Sequence, residues 1–187
     1  LDCGTRQRAT FDDSSPRAYL AFAPDAQSNL YFSVSQGFRS GGFNSPYAEE
    51  LGAPATYGPE NVTSYELGSK LQRADGRLYA EFALFRSDYS DMQGYGLIPG
   101  ALVEVVSNVG EAEIEGFEWT LDWRPRERLR LGFNGSVIDA TIVAVNALNT
   151  AYLPGDPVDQ VADYGWSVFA DYAFPWRGGR QGYLRGG

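Results

Sequence analysis

The segment "NVGEAEIEGFEW" (108–119) gathers Glu111, Glu113, Glu115 and Glu118 into one short run. Paired carboxylates hydrolyse glycosides when a cleft holds them about 5–9 Å apart. On a strand, Glu111, Glu113 and Glu115 share one face and Glu118 takes the other, unless Gly116 carries a bulge that shifts the phase. The run therefore reads as charges on a curved strand, with Gly110 and Gly116 relieving the curvature. Asp139, Asp156, Asp159 and Asp163 form a second acidic group. Carboxylate oxygens suit calcium, but the regular ligand spacing of a twelve-residue calcium loop is missing, so these aspartates read as turn formers and no metal site is expected. A third stretch, "SVSQGFRSGGFN" (33–44), begins as an alternating strand and ends as a glycine loop that carries Phe38, Arg39 and Phe43.

Composition narrows the chemistry further. The chain has 187 residues, no histidine and a formal net charge of −9. The commonest general base is therefore absent, together with every triad that uses imidazole, and no enzyme is expected. Nor is a nucleic-acid partner, since phosphate neutralisation needs a clustered basic surface. A single cysteine, Cys3, cannot form an internal disulfide, and no run of 18 apolar residues is present to make a spanning helix. No cofactor is expected.

The elements that must position these residues are strands. Twelve Tyr, 11 Phe and 22 Gly favour pleated surfaces and turns. Two-residue periodicity predicts strands at 17–23, 29–37, 61–72, 77–89, 102–106 continuing through 112–124, 128–139, 164–174 and 181–185. Their connections alternate in size. Short hairpins fall at "PDAQS", "RADG", "PRE" and "PWRGGR", with Asp75-Gly76 the strongest turn signal, and long loops fall at 38–60, 91–101 and roughly 140–163.

The alternation separates two faces. Tyr65, Leu67, Ser69 and Leu71 align with Leu78, Ala80, Phe82 and Leu84, and Phe117, Trp119, Leu121 and Trp123 with Leu129, Leu131, Phe133 and Val137. Glu66, Lys70, Glu118, Asp122 and Arg130 fall on the opposite side. A soluble β-sandwich that binds carbohydrate and a membrane barrel both fit this pattern. Predicted strands of about 11–13 residues match the ~9–11 tilted residues that cross a bilayer. Aromatics gather near the turns (Phe22, Tyr31, Phe32, Trp123, Phe174, Trp176) and near the loop edges (Phe38, Tyr89, Tyr95, Tyr164), as two interfacial belts would. The phase fails at Arg86 and Asp88, and again at Glu113 and Glu115, where either a bulge or arrival at the interface is required.

Four motifs in order, "NLYFSVSQGFRSGGFN", "YGPENVTSYELGSKLQ", "RLYAEFALFRSDYSDMQ" and "VSNVGEAEIEGFEWTLDWRP", resemble consecutive barrel strands of TonB-dependent outer-membrane receptors. The likeness runs from about Pro16 to Phe174. It implies an all-β antiparallel meander of about eight strands from a transmembrane β-barrel, with short periplasmic turns and long extracellular loops. It also implies residence in the bacterial outer membrane and TonB-dependent uptake of a metal chelate, cobalamin or oligosaccharide. The expected domain is 1–187, a partial barrel with no plug domain and no terminal strand in view. Expected partners are outer-membrane lipid and lipopolysaccharide, the plug domain and TonB complex of the full-length protein, and a small imported ligand. In that setting Arg39, Phe43, Tyr47 and Tyr57 are the candidate ligand-binding residues of the loop at 38–60, Arg39 as a contact for an anionic chelate or sugar acid. The glycines of "GFRSGGF" give the strand a flexible exit beside its aromatic anchors.

Overall fold

The computed structural model describes residues 8–98, 100–146 and 152–187. Cys3, Pro99 of the second long loop and 147–151 of the third lie outside them. The chain runs β1 (Arg17–Asp25), β2 (Ser28–Arg39), β3 (Gly42–Phe43), α1 (Pro46–Glu50), β4 (Thr56–Tyr57), β5 (Glu60–Arg73), β6 (Leu78–Leu97), β7 (Glu104–Arg126), β8 (Leu129–Val145), β9 (Tyr164–Pro175) and β10 (Gln181–Gly186). Eight strands form one antiparallel sheet in the order β1-β2-β5-β6-β7-β8-β9-β10, and β3 pairs only with β4. All eight predicted strands are present as a meander, and β1 and β10 are its two edges.

Register fixes the faces. Leu67 lies opposite Leu84, Ser69 opposite Phe82 and Leu71 opposite Ala80. Those β6 residues lie opposite Phe117, Trp119 and Leu121, and these in turn opposite Val137, Gly135 and Phe133. No second layer covers this side among the described residues: Leu20 is 71% exposed, Leu84 56% and Trp166 67%. A sandwich would pack Phe117, Trp119, Leu131 and Phe133 between two sheets. Here they line the uncovered outward face of a single sheet.

Cross-strand aromatic–glycine pairs hold the sheet together. Tyr31 lies opposite Gly68, Phe85 opposite Gly116, Trp119 opposite Gly135 and Phe169 opposite Gly132, and in each case the ring occupies the space a Cβ on the glycine would take. The glycine lacks a side chain so that its neighbour's ring can lie flat on the sheet, which restores packing area to a strand position that would otherwise be weak.

Several expectations change in detail. The predicted loop at 91–101 is mostly strand, because β6 and β7 continue as a hairpin to Leu97 and Glu104. Register stays regular from Leu84 to Tyr89 and slips only at Met92 and Gln93, so no bulge rescues Arg86 and Asp88. Arg86 stays on the outward face and pairs with Asp88 (2.9 Å), Glu115 (2.9 Å) and Glu113. This is the edge of the oily band. Gly116 is also in register, and the bulge sits instead at Glu111/Ala112. Tyr31 leaves the predicted belt: it faces inward and is buried. At the "RADG" turn Ala74 (φ 52°) and Asp75 (φ 55°) share the left-handed conformation with Gly76 (φ 81°).

Candidate functional site

The inward face is polar, and several of its charges are paired across strands. Tyr31 Oη donates to Glu66 (2.5 Å), and Tyr79 Oη donates to Glu81 (2.5 Å). Lys70 pairs with Glu81 (2.7 Å) and lies 5.8 Å above the Tyr31 ring. Toward β10, Arg130 grips Asp122 through Nε (2.8 Å) and Nη2, and Arg185 binds Asp171 through Nε (2.6 Å) and Nη2 (2.9 Å). Phe169 lies between the two guanidinium groups, 5.3 Å from Arg130 and 6.0 Å from Arg185. Each partly exposed pair is worth only about 0.2–1 kcal/mol. Their joint effect is to fix long side chains against the wall and leave a defined inner surface.

At the long-loop end, residues 40–59 are moored to the β6–β7 hairpin by three side-chain amides. Asn44 Oδ1 accepts from Val106 N (2.8 Å) while its Nδ2 donates to Val106 O (2.9 Å) and Pro54 O (2.9 Å). Asn108 mirrors it, accepting from Gly58 N (2.7 Å) and donating to Gly58 O (3.1 Å) and Asp91 O (2.7 Å). Gln93 Nε2 donates to Ser40 O (3.0 Å) and Gly58 O (3.0 Å), and its backbone N–H donates to Glu60 (2.6 Å). An amide carries one donor group and one acceptor in the geometry of a peptide, so each asparagine replaces a missing strand neighbour. Asn44 and Gln93 are both 8% exposed. Sequence reading passed over these three residues. Their only signal is the presence of Asn and Gln, and the side-chain bonds that join 40–59 to the hairpin span 35–62 positions in sequence.

The predicted binding residues distribute unevenly around this mooring. Arg39 ends β2 on the inward face opposite Glu60, and it makes no ion pair among the described residues. Tyr47 projects from α1, 60% exposed. That short helix is started by Ser45, whose Oγ accepts from Ala48 N (3.1 Å), with Pro46 in its first turn. Phe43 pairs with Thr56, and Tyr57 with Gly42, so Phe43 and Tyr57 point to opposite faces of the small β3–β4 ribbon. The Tyr57 ring covers Gly42, repeating the aromatic–glycine arrangement of the wall.

No group of three or more His, Cys, Asp or Glu among the described residues is placed to hold a metal ion. Asp156 accepts from Leu153 N (2.7 Å), and Ile142 N donates to Asp156 O (2.8 Å), a turn laid against β8. Asp159 accepts from Tyr152 (2.8 Å), a bond that raises the phenol's pKa above its ordinary value.

Residues 2–187 match the family described as TonB dependent receptor-like, beta-barrel. No curated protein matches the chain. Among solved structures, the ferric yersiniabactin uptake receptor FyuA from Yersinia pestis is 23% identical with a TM-score of 0.66, covering 86% of this chain and 23% of that one. The siderophore receptor PiuA from Acinetobacter baumannii is 17% identical with a TM-score of 0.63, covering 83% and 23%. The alcaligin outer-membrane receptor FauA from Bordetella pertussis is 18% identical with a TM-score of 0.58, covering 91% and 28%. The chain thus spans about a quarter of each of these structures. The matched family and these neighbours are transport receptors.

Proposed function

Because this chain belongs to the TonB-dependent receptor β-barrel family, we propose that it forms part of the barrel wall of an outer-membrane receptor that imports a metal chelate. Its oily face meets lipid, its ion-paired face lines the lumen, and a plug domain and the TonB complex supply gating and energy. The carrying observation is the pairing of an uncovered apolar face with an inward face on which Lys70 pairs with Glu81, Arg130 with Asp122 and Arg185 with Asp171. A ferric siderophore is preferred over cobalamin or an oligosaccharide, since PiuA is named a siderophore receptor and FyuA a ferric yersiniabactin uptake receptor.

In this reading Arg39 and Tyr47 touch the ligand, Arg39 from the inward face and Tyr47 from α1. Phe43 and Tyr57 hold the loop that presents them. The complete receptor, expressed in cells stripped of their own siderophore receptors, restores growth on a ferric siderophore under iron limitation. Growth restored instead with cobalamin or maltodextrin as limiting nutrient replaces the ligand class. Indifference of the receptor's gel migration to boiling removes the barrel itself. The chain expressed alone, with β1 and β10 both open, moves no ligand.

A further inference from the structure

The outward face ends differently at its two rims. At the long-loop rim Arg86 is enclosed by Asp88, Glu113 and Glu115, with Asp139 opposite Glu115. At the short-turn rim the cations outside ion pairs among the described residues, Arg77, Arg124, Arg126, Arg128, Arg177 and Arg180, outnumber the acids Asp75 and Glu127. We propose that this rim binds the headgroup of an anionic phospholipid through Arg126, Arg177 and Arg180, set below an aromatic shelf of Trp123, Tyr172, Phe174 and Trp176. The proposal rests on the barrel reading above.

Register decides which arginines face lipid. Pairing between β7 and β8 slips after Trp123, so that Arg126 lies opposite Leu129, itself opposite the outward Tyr172. Without that slip Arg126 would join Arg124 and Asp122 on the inward side. In the last hairpin Phe174 stacks on Tyr172 (6.5 Å) and takes the edge of Trp176 (5.9 Å). Trp176 N donates to Arg180 O (2.7 Å), closing a turn in which Gly178 (φ 73°) and Gly179 (φ 75°) leave Arg177 and Arg180 exposed on either side.

None of these three arginines makes an ion pair among the described residues, whereas Arg73, Arg86, Arg130 and Arg185 all do. Trp123 is 48% exposed and Trp176 62%. Amphipathic rings with guanidinium groups at their polar edge fit the glycerol and phosphate levels of a bilayer, and the ring contacts favour a lipid over free phosphate. The acidic opposite rim repels the same headgroups, which confines the attraction to the leaflet that the short turns meet.

The test uses the complete receptor in native mass spectrometry, with dioleoylphosphatidylglycerol or dioleoylphosphatidylcholine offered at equal concentration. The wild type retains more phosphatidylglycerol. The triple variant R126Q/R177Q/R180Q loses that preference, by about fivefold per arginine, while the inward Arg124→Gln keeps it. Heat-modifiable gel migration checks folding, and if the triple variant fails to fold, Arg177→Gln alone still shows its own fivefold share. Equal retention of the two lipids by the wild type, an equal loss in Arg124→Gln, or displacement of the lipid by inorganic phosphate overturns the proposal and leaves the barrel intact. Failure of the wild type to enter vesicles of either lipid strikes at the barrel reading instead.

Discussion

On the outward face Phe82, Phe117, Trp119 and Phe133 lie ring against ring in a row across three strands at centroid distances of 6.2, 5.7 and 5.5 Å. On the same strands the inward face carries Glu81, Asp122 and Arg130, bound to partners on neighbouring strands or across a hairpin. The outward row uses no polar partner, and the indole Nε1 of Trp119 has none among the described residues. The two faces share backbone, twist and aromatic–glycine joints. In the function proposed above they differ in the solvent each meets, hydrocarbon outside and water inside, which accounts for the exposed leucines.

The sharpest way to break this comparison is a charge on each face. Phe82→Arg, midway along the outward face between Leu78 and Arg86, should cost about 2–4 kcal/mol, as an arginine near the bilayer midplane does. Ser136→Arg, inward and opposite Glu118, should cost close to nothing. Urea unfolding of the complete receptor in lipid vesicles measures both, and equal costs would mean the faces are not lipid and lumen.

Next in size are the joints. A Cβ on Gly116 would meet the Phe85 ring at 2.5 Å and Val137 O at 2.9 Å. Gly116→Ala should therefore cost about 1–3 kcal/mol through overpacking. At Gly165, also inward, a Cβ meets nothing within 4 Å, and Gly165→Ala should stay within about 0.5 kcal/mol. The same unfolding assay separates them.

A smaller effect is expected at the mooring. Asn108→Ala strands the Gly58 N–H, while the Gly58 carbonyl keeps Gln93, at about 1–3 kcal/mol of local stability. It should speed proteolytic cleavage within 40–59 while leaving global unfolding almost unchanged. An unaltered cleavage rate would show that the loop is held by something else.

The smallest effect concerns pH. Gln27 N–H (2.8 Å) and the Ser28 hydroxyl hold the Asp25 carboxyl below its ordinary pKa, with Arg73 adding to the shift. A lowered folded-state value means that this contribution is present above the ordinary carboxylate range and is lost as pH falls through the lowered pKa. Asp25→Asn should thus be less stable than wild type near neutrality and converge with it in strong acid. A constant gap across pH would assign the difference to something other than this carboxylate.

The sequence made the strands and their faces legible because a half-buried strand writes its environment every second residue. The failures have specific causes. Gly94 and Gly96 in β6 and Gly110 in β7 interrupt the alternation, so the outer part of the β6–β7 hairpin read as loop. The β3–α1–β4 unit is too short to carry a period. Arg86 and Glu115 defied the oily pattern, and regular register shows that the pattern had simply reached its edge. The glycine joints needed cross-strand register, which turn lengths constrain but do not display. Among the binding candidates, position in a loop was readable. That Phe43 and Tyr57 face opposite ways was not, because it depends on the pairing of two residues with two others.

The side-chain amides of Asn44, Gln93 and Asn108 have a mechanical corollary. Residues 40–59 and the tip of the β6–β7 hairpin are laced together, so a pull on either travels into the other before it reaches the wall. Whatever displaces one at the mouth must carry both, and trimming the hairpin back to the wall would cast the neighbouring loop adrift even with every residue of that loop untouched.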